Sequence, residues 1–334
     1  MRTVFYEKMR KDVERELTDE NRQCEVMLKT MTKRNDINMT GLMIVTEGDP
    51  VSPMLYLGEF YDQYREGRDY AEILKQVVGL IREAEPPKLV PEQFLDFDQI
   101  KDNVFIRVAD RKQNQHWLED KVYHVVDDLA CTYHFWIEVS GYGASIPIRQ
   151  EHLIAWGVTV DEVRAVAESN LLREDVQFRH MNDVLKTFLE ESGDETLQSY
   201  AEDFSVSEPE GLYVLKTDRD CYGANVILRK DVMMRISRMF NDDFYILPSS
   251  QHEVIVISVK QSPPFEALQK MVKEINVTEI EPQDRLSDDL FYYDRERGRV
   301  MKAKEYYAEK LGMSIEELDS EFPEKKRHRD EMER

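Results

Sequence analysis

The sequence predicts an α+β fold, in which a helical N-terminal region precedes two related antiparallel sheet-and-helix modules of order ββα and ββαββα. Three observations carry this. Apolar residues in the first third recur at helical spacing, as in Phe5, Met9, Val13 and Leu17. Residues 244–247 and 254–259 are short runs, apolar on both faces, as strands buried from both sides are. Finally, residues 142–151 and 222–231 share the pattern Y-G-A-[SN]-[IV]-x-[IL]-R-[QK]-[ED], which suggests a tandem strand-turn-strand-helix unit.

Taken in order, the first helix carries the Phe5 to Leu17 stripe. A polar break at 35–38 precedes a short strand at 41–45. Ser52-Pro53 has the chemistry of a helix start, since serine caps free N–H groups and proline lacks the N–H that the first turn would leave unpaired. That helix should carry Leu57, Phe60, Tyr61 and Tyr64 to a stop at Gly67. Asp69 and Glu72 are spaced as an acidic capping box before Tyr70, Ile73, Leu74, Val77, Val78 and Ile81. After a connector from Val90 come an apolar strand-like run at 104–108 and a helix around 114–126. In 128–139 period two prevails: Leu129, Cys131, Tyr133, Phe135, Ile137 and Val139 alternate with Ala130, Thr132, His134 and Glu138. Thr159 and Glu162 form a second capping box, and Leu185, Phe188 and Leu189 mark a further helix. Residues 191–210, acidic and serine-rich, read as a linker. In the second module 212–216 and 224–228 read as a hairpin, Val232, Ile236, Met239 and Phe240 as a helix, and 265–275 as another. A strand pair at 289–300 turns at Gly298, and a charged helical tail begins at Lys302. The domains expected are 1–89, 90–190, 211–301 and the tail 302–334, with 191–210 as the acidic linker.

The net charge of −22, from 67 acidic against 45 basic residues, repels phosphate backbones and anionic lipid. Nucleic acid and membrane are therefore not expected partners. Imitation of DNA by the acidic surface would need acids in phosphate-like rows; the simpler role of the charge is solubility. The 3 cysteines are widely spaced without a C-x-x-C pair, as in a cytoplasmic chain without disulfides.

No Walker A loop, G-x-S-x-G elbow or complete G-x-G-x-x-G is present. His252-Glu253 begins an H-E-x-x-H zinc motif, but Val256 occupies the second histidine position. His124, Asp128, Cys131 and His134 would suit a metal on a helix. On a strand, however, Asp128 and His134 lie roughly 20 Å apart, so neither a metal nor any other cofactor is expected. The candidate binding residues are Tyr245, Ser249, Ser250, His252 and Glu253, in and before the loop of the best-ordered module. A turn formed by Pro248 and the serines is the plain reading of that loop; a Ser/His nucleophile and base is the sharper one.

Tyr245-Ile-Leu-Pro-Ser-Ser250 followed by His252-Glu253-Val254 resembles the signature YILPSSxHEV of an uncharacterised family of intracellular bacterial proteins, a domain of unknown function. Ser52-Pro53, Tyr56-Leu57, Asp128-Leu129-Ala130 and Gly143-Ala144-Ser145 also look like that family's phrases. The resemblance implies no catalytic residue, substrate or cofactor. The function expected is thus a non-enzymatic protein-interaction or regulatory module with a protein partner, the alternative being a small-molecule hydrolase or ligand-binding enzyme that uses the 249–253 loop.

Overall fold

A computed structural model describes residues 1–18, 24–46, 52–83, 96–139, 142–194, 196, 198, 200, 211–219, 221–248 and 250–321. It is α+β, with three antiparallel sheets among the described residues. The chain divides into two compact units, one of residues 1–105, 114–122 and 133–167, the other of 106–113, 123–132 and 168–334.

In the first unit, helix Arg2–Thr18 buries Phe5, Met9, Val13 and Leu17 as the spacing predicts. It packs with a sheet of β1 (Cys24–Lys33), β2 (Ile37–Thr46) and β3 (Met54–Tyr56). The polar break is the turn of the β1–β2 hairpin: Asn35 and Asp36 both have positive φ, which short polar side chains tolerate. Each strand of the hairpin is twice the length of the one expected at 41–45: Cys24, Val26 and Leu28 face the core, but the polar second half of β1, residues 29–33, carries no apolar signal of a strand. Ser52-Pro53 does not start a helix. Residues 54–56 pair with β2 instead, and the next helix is Gly58–Arg65. A Cβ on Gly41 would stand 2.5 Å from the Leu55 carbonyl oxygen, so this glycine permits β3 to close on the sheet. At helix Tyr70–Glu83 Asp69 caps as predicted, its carboxylate accepting from the N–H groups of Ala71 at 2.8 Å and Glu72 at 3.2 Å, but the return bond of a capping box is not made: the Glu72 carboxylate pairs with Arg68. Leu42, Leu57, Phe60, Ile73 and Val77 complete this core.

The second sheet comprises β4 (Val104–Asp110), β5 (Tyr123–Val126), β6 (Leu129–Val139) and β7 (Tyr142–Pro147), with β6 central. β6 is the expected strand, but its expected polar side is buried too: Thr132 and His134 are each internal. Their polar atoms are satisfied, Thr132 Oγ1 donating to the Arg107 carbonyl at 3.1 Å and His134 Nδ1 bonding Ser145 Oγ at 3.1 Å. The helix expected at 114–126 does not form. Asn114 donates to Asn35 Oδ1, the Asp36 carboxylate accepts from the His116 and Trp117 N–H groups, and 123–126 is drawn into pairing with 129–132.

The second unit is built on a six-stranded sheet of order β13-β12-β10-β11-β9-β8, with β8 (Val176–His180), β9 (Tyr213–Thr217), β10 (Phe244–Leu247), β11 (Val254–Ser258), β12 (Phe291–Asp294) and β13 (Arg299–Lys302). All its pairings are antiparallel, and the two runs predicted to be central strands are central. Helices Lys230–Phe240, Phe265–Thr278 and Ala303–Leu311 fall where the spacing put them. Leu268, Val272 and Ala303 bury against Tyr245, Leu247 and Tyr292. The hairpin expected between 212–216 and 224–228 is absent. β9 pairs with β8 and β11, and Gly223–Leu228 coils into a 3-10 helix with Ala224, Asn225 and Val226 fully buried. The two ten-residue segments thus share sequence but differ in shape, since Tyr142–Pro147 is strand; each leads into a helix with an arginine, Arg149 or Arg229, at the position before its first turn. Most of the predicted acidic linker, including 201–210, lies outside the described residues.

Candidate functional site

The candidate loop and the groups it bonds belong to the second unit. β10 ends at Leu247, and the chain crosses to β11 through the candidate loop. Backbone bonds tie this loop to the segment before β12: the Gln251 N–H donates to the Asp284 carbonyl at 2.8 Å, and Ser250 makes an isolated bridge with Arg285. A second seam joins it to the turn before the 3-10 helix. There Ala224 N–H donates to the Gln251 carbonyl at 3.2 Å, and Tyr222 N–H donates to His252 Nδ1 at 3.3 Å. Gly223 allows this seam, since a Cβ there would lie 2.8 Å from the His252 carbonyl oxygen and 2.9 Å from Lys216 Cβ. Tyr222 is held at φ 68°, a left-handed conformation rare for an aromatic residue, which aims its ring back over the loop to stack with His252 at 5.6 Å.

The seam brings in a residue that sequence reasoning passed over. Arg107, in the middle of β4, sets its guanidinium 3.8 Å from the centre of the Tyr222 ring and donates from Nη2 to Gln251 Oε1 at 2.6 Å. The Gln251 amide nitrogen donates in turn to Asp284 Oδ1 at 2.5 Å, and the same oxygen lies 3.6 Å from His252 Nε2. The chain of contacts runs Arg107, Gln251, Asp284, His252, with Tyr222 stacking on both of its ends. Arg107 Nε is shut off from solvent and makes no hydrogen bond. Among the described residues no carboxylate forms an ion pair with Arg107. Burial accordingly lowers its pKa from the ordinary arginine value, and Tyr222, Cys221 and Asp284 only partly oppose that.

The predicted candidates separate in this geometry. His252 and Ser250 lie in the network, His252 with its side chain 38% exposed. Ser250 Oγ accepts from the His252 backbone N–H at 3.0 Å, a local turn bond. Glu253 is half-buried and makes no side-chain hydrogen bond or ion pair among the described residues. Tyr245 belongs to the core, where its hydroxyl bonds that of Tyr307 and burial pushes its pKa well above the usual phenol value. Ser249 lies outside the described residues. Arg107 did leave one trace in the sequence, as the charged interruption of an otherwise apolar run, Val104-Phe-Ile-Arg-Val108. Tyr222 appeared there only as the first residue of the repeated Y-G-A pattern, and Asp284 left no trace.

A second cluster is a closed ion network. Lys302, at the end of β13, has a side chain only 7% exposed and places Nζ 2.6 Å from Asp289, 3.0 Å from Asp128 and 3.7 Å from Asp110. Asp110 Oδ2 also accepts from Ser287 Oγ at 2.7 Å, and Lys112 reaches Asp128 at 3.3 Å. Despite burial, bonds from Asp289 and Asp128 raise the Lys302 pKa well above its ordinary value. An ammonium fixed in its charged form suits a structural tie and not a nucleophile. Of His124, Asp128, Cys131 and His134, the first and third are cross-strand partners in β5 and β6, whereas Asp128 serves Lys302 and Lys112 and His134 bonds Ser145.

No described helix is long and apolar enough to cross a membrane. The model of one family, described as a family of unknown function (DUF5688), matches residues 2–295 of the chain. No curated protein and no solved structure matches it.

Proposed function

The chain belongs to that family of unknown function, and on this footing we propose that it acts as a non-enzymatic binding module, a protein-interaction or regulatory protein whose recognition surface is the 250–252 loop with the 221–223 turn stitched to it. The observation that supports this reading is the state of His252. A histidine that serves as general base needs one ring nitrogen directed at the nucleophile and the other held by an orienting group. In this loop Nδ1 accepts the Tyr222 N–H and Nε2 lies 3.6 Å from Asp284, so the nitrogen opposite the acid is taken by the backbone, while Ser250 Oγ is turned to the backbone as well. The same commitments suit recognition: rigid, partly exposed polar groups lose little entropy when a partner covers them.

The test is paired. Tagged wild-type chain and a Ser250→Ala/His252→Ala variant are used for affinity capture from native cells, with mass spectrometry of proteins and small molecules. Recovery of a defined partner by the wild type alone, at nearly unchanged melting temperature, is the expected outcome. A large stability loss with unchanged recovery would overturn the role of the loop, and ester hydrolysis lost in Ser250→Ala would replace the reading with that of a hydrolase.

A further inference from the structure

We infer that Arg107 is the anchor of an oxyanion-binding site, taking a carboxylate or phosphate group of a ligand on the guanidinium edge that the protein leaves without an acceptor. The argument begins with a deficit. A guanidinium offers five N–H donors and a full positive charge, and taking it out of water costs several kcal/mol unless an anion and hydrogen bonds compensate. Arg107 donates one hydrogen bond, from Nη2 to the neutral amide oxygen of Gln251, and lies against the face of Tyr222. Its Nε is sealed from water without an acceptor. This occurs in a chain with 67 acidic residues; Arg219 and Arg229 in the same unit each meet a carboxylate, at 2.6 and 2.8 Å.

The surroundings hold the cation in place without neutralising it. Gln251 takes the position that a carboxylate would occupy in an ordinary ion pair. Its amide passes the interaction on to Asp284, so the one nearby acid is kept a residue's width away. Tyr222, pinned in the left-handed region, fixes the plane of the guanidinium by stacking. A planar fork that is oriented, partly desolvated and short of an anion is the arrangement by which arginine recognises carboxylate and phosphate oxygens. Arg107 is half-buried; its Nη1 makes no hydrogen bond among the described residues and, unlike Nε, is not shut off from solvent, so Nη1 is the edge on which an oxyanion would land.

The inference deepens the binding-module reading and rests on it, naming the chemistry that the surface accepts; the two can fail separately. Full-length chain is titrated calorimetrically with inorganic phosphate and, in parallel, with acetate, at constant ionic strength in chloride. Saturable binding of at least one anion is expected, weakened roughly tenfold or more in Arg107→Gln. Phosphate alone points to a phosphoryl ligand, acetate alone to a carboxylate, and both to the shared oxyanion chemistry. Asp284→Asn provides an arm that does not depend on removing the arginine: with a competing negative charge gone, the affinity for the anion should rise, by about fivefold. No saturable binding of either anion, equal binding by Arg107→Gln, or unchanged or weaker binding by Asp284→Asn would overturn the inference. Partner capture that persists in Arg107→Gln would leave the binding module standing without the anion.

Discussion

Lys302→Met removes one charge from the interior and leaves its volume nearly unchanged. In the folded chain Nζ lies within 3.7 Å of three aspartates. At an effective dielectric of about 20, each ion pair near 3 Å is worth on the order of 5 kcal/mol in Coulomb energy, most of which offsets desolvation. Removing one partner of such a set typically costs about 3–5 kcal/mol, because the remaining charges stay buried without compensation. The signs with pH follow. Lys302 has its pKa raised on folding, so its contribution is complete below the unfolded lysine value and is lost only as pH rises through the folded one. For Asp128, bonds to Lys302 and Lys112 overcome the cost of burial and lower the pKa, so its contribution is present above the usual aspartate value and is lost as pH falls through the folded one. In the variant, Asp110, Asp128 and Asp289 face one another with only Lys112 in reach, and protonation relieves their repulsion. The deficit against wild type, measured by equilibrium urea unfolding, should therefore narrow as pH falls from about 7 to about 5. A deficit under about 1 kcal/mol at neutral pH, or one equal at both pH values, would refute this account.

Gly223→Ala places a methyl group 2.8 Å from the His252 carbonyl and should destabilise the chain by about 1–3 kcal/mol while pulling the 221–223 turn from the loop, which urea unfolding and anion titration would register together. Asn225, fully buried, donates to the Ile106 carbonyl at 3.0 Å; Asn225→Ala orphans that carbonyl and should cost about 2–3 kcal/mol, read from the urea midpoint at constant m. Thr159→Ala removes the hydroxyl that accepts the Glu162 N–H at 3.2 Å and should cost about 1 kcal/mol by the same assay, with helix Val160–Arg173 fraying first in hydrogen exchange.

Features of the fold that depend on neighbouring residues were legible in the sequence. The Phe5 to Leu17 stripe, the Asp69 cap, the Thr159–Glu162 capping box and the two-sided apolar runs of β10 and β11 each encode structure within a few residues. Features decided by distant partners were not. Residues 114–126 carry a helical pattern, yet Asn35 and Asp36 capture Asn114, His116 and Trp117 from about 80 positions away, a competition no local window reveals. The 224–228 run looks like a strand, yet Asn225 coils into the interior to reach Ile106, which precedes it by 119 positions. The candidate site divides in the same way: Ser250 and His252 stand out as neighbours in a polar loop, whereas Arg107 meets Gln251 across 144 positions and Tyr222 meets His252 across 30.

The same long spans bear on how the chain is made. Asp110 and its partner Ser287 are 177 residues apart, and Gln113 and Asp288 are 175 apart. A ribosome adds about 5–20 residues per second, so Asp110 emerges on the order of ten seconds or more before the groups that satisfy it. β4 and β6 each have residues in both units, so no single cut separates the units. A shortened transcript or a chain stalled near its middle would carry these strands without their closing partners, as a client for chaperones and proteases. The strand Arg299–Lys302, with Lys302 at its end, thus brings a charge that Asp110 and Asp128, made long before it, wait for.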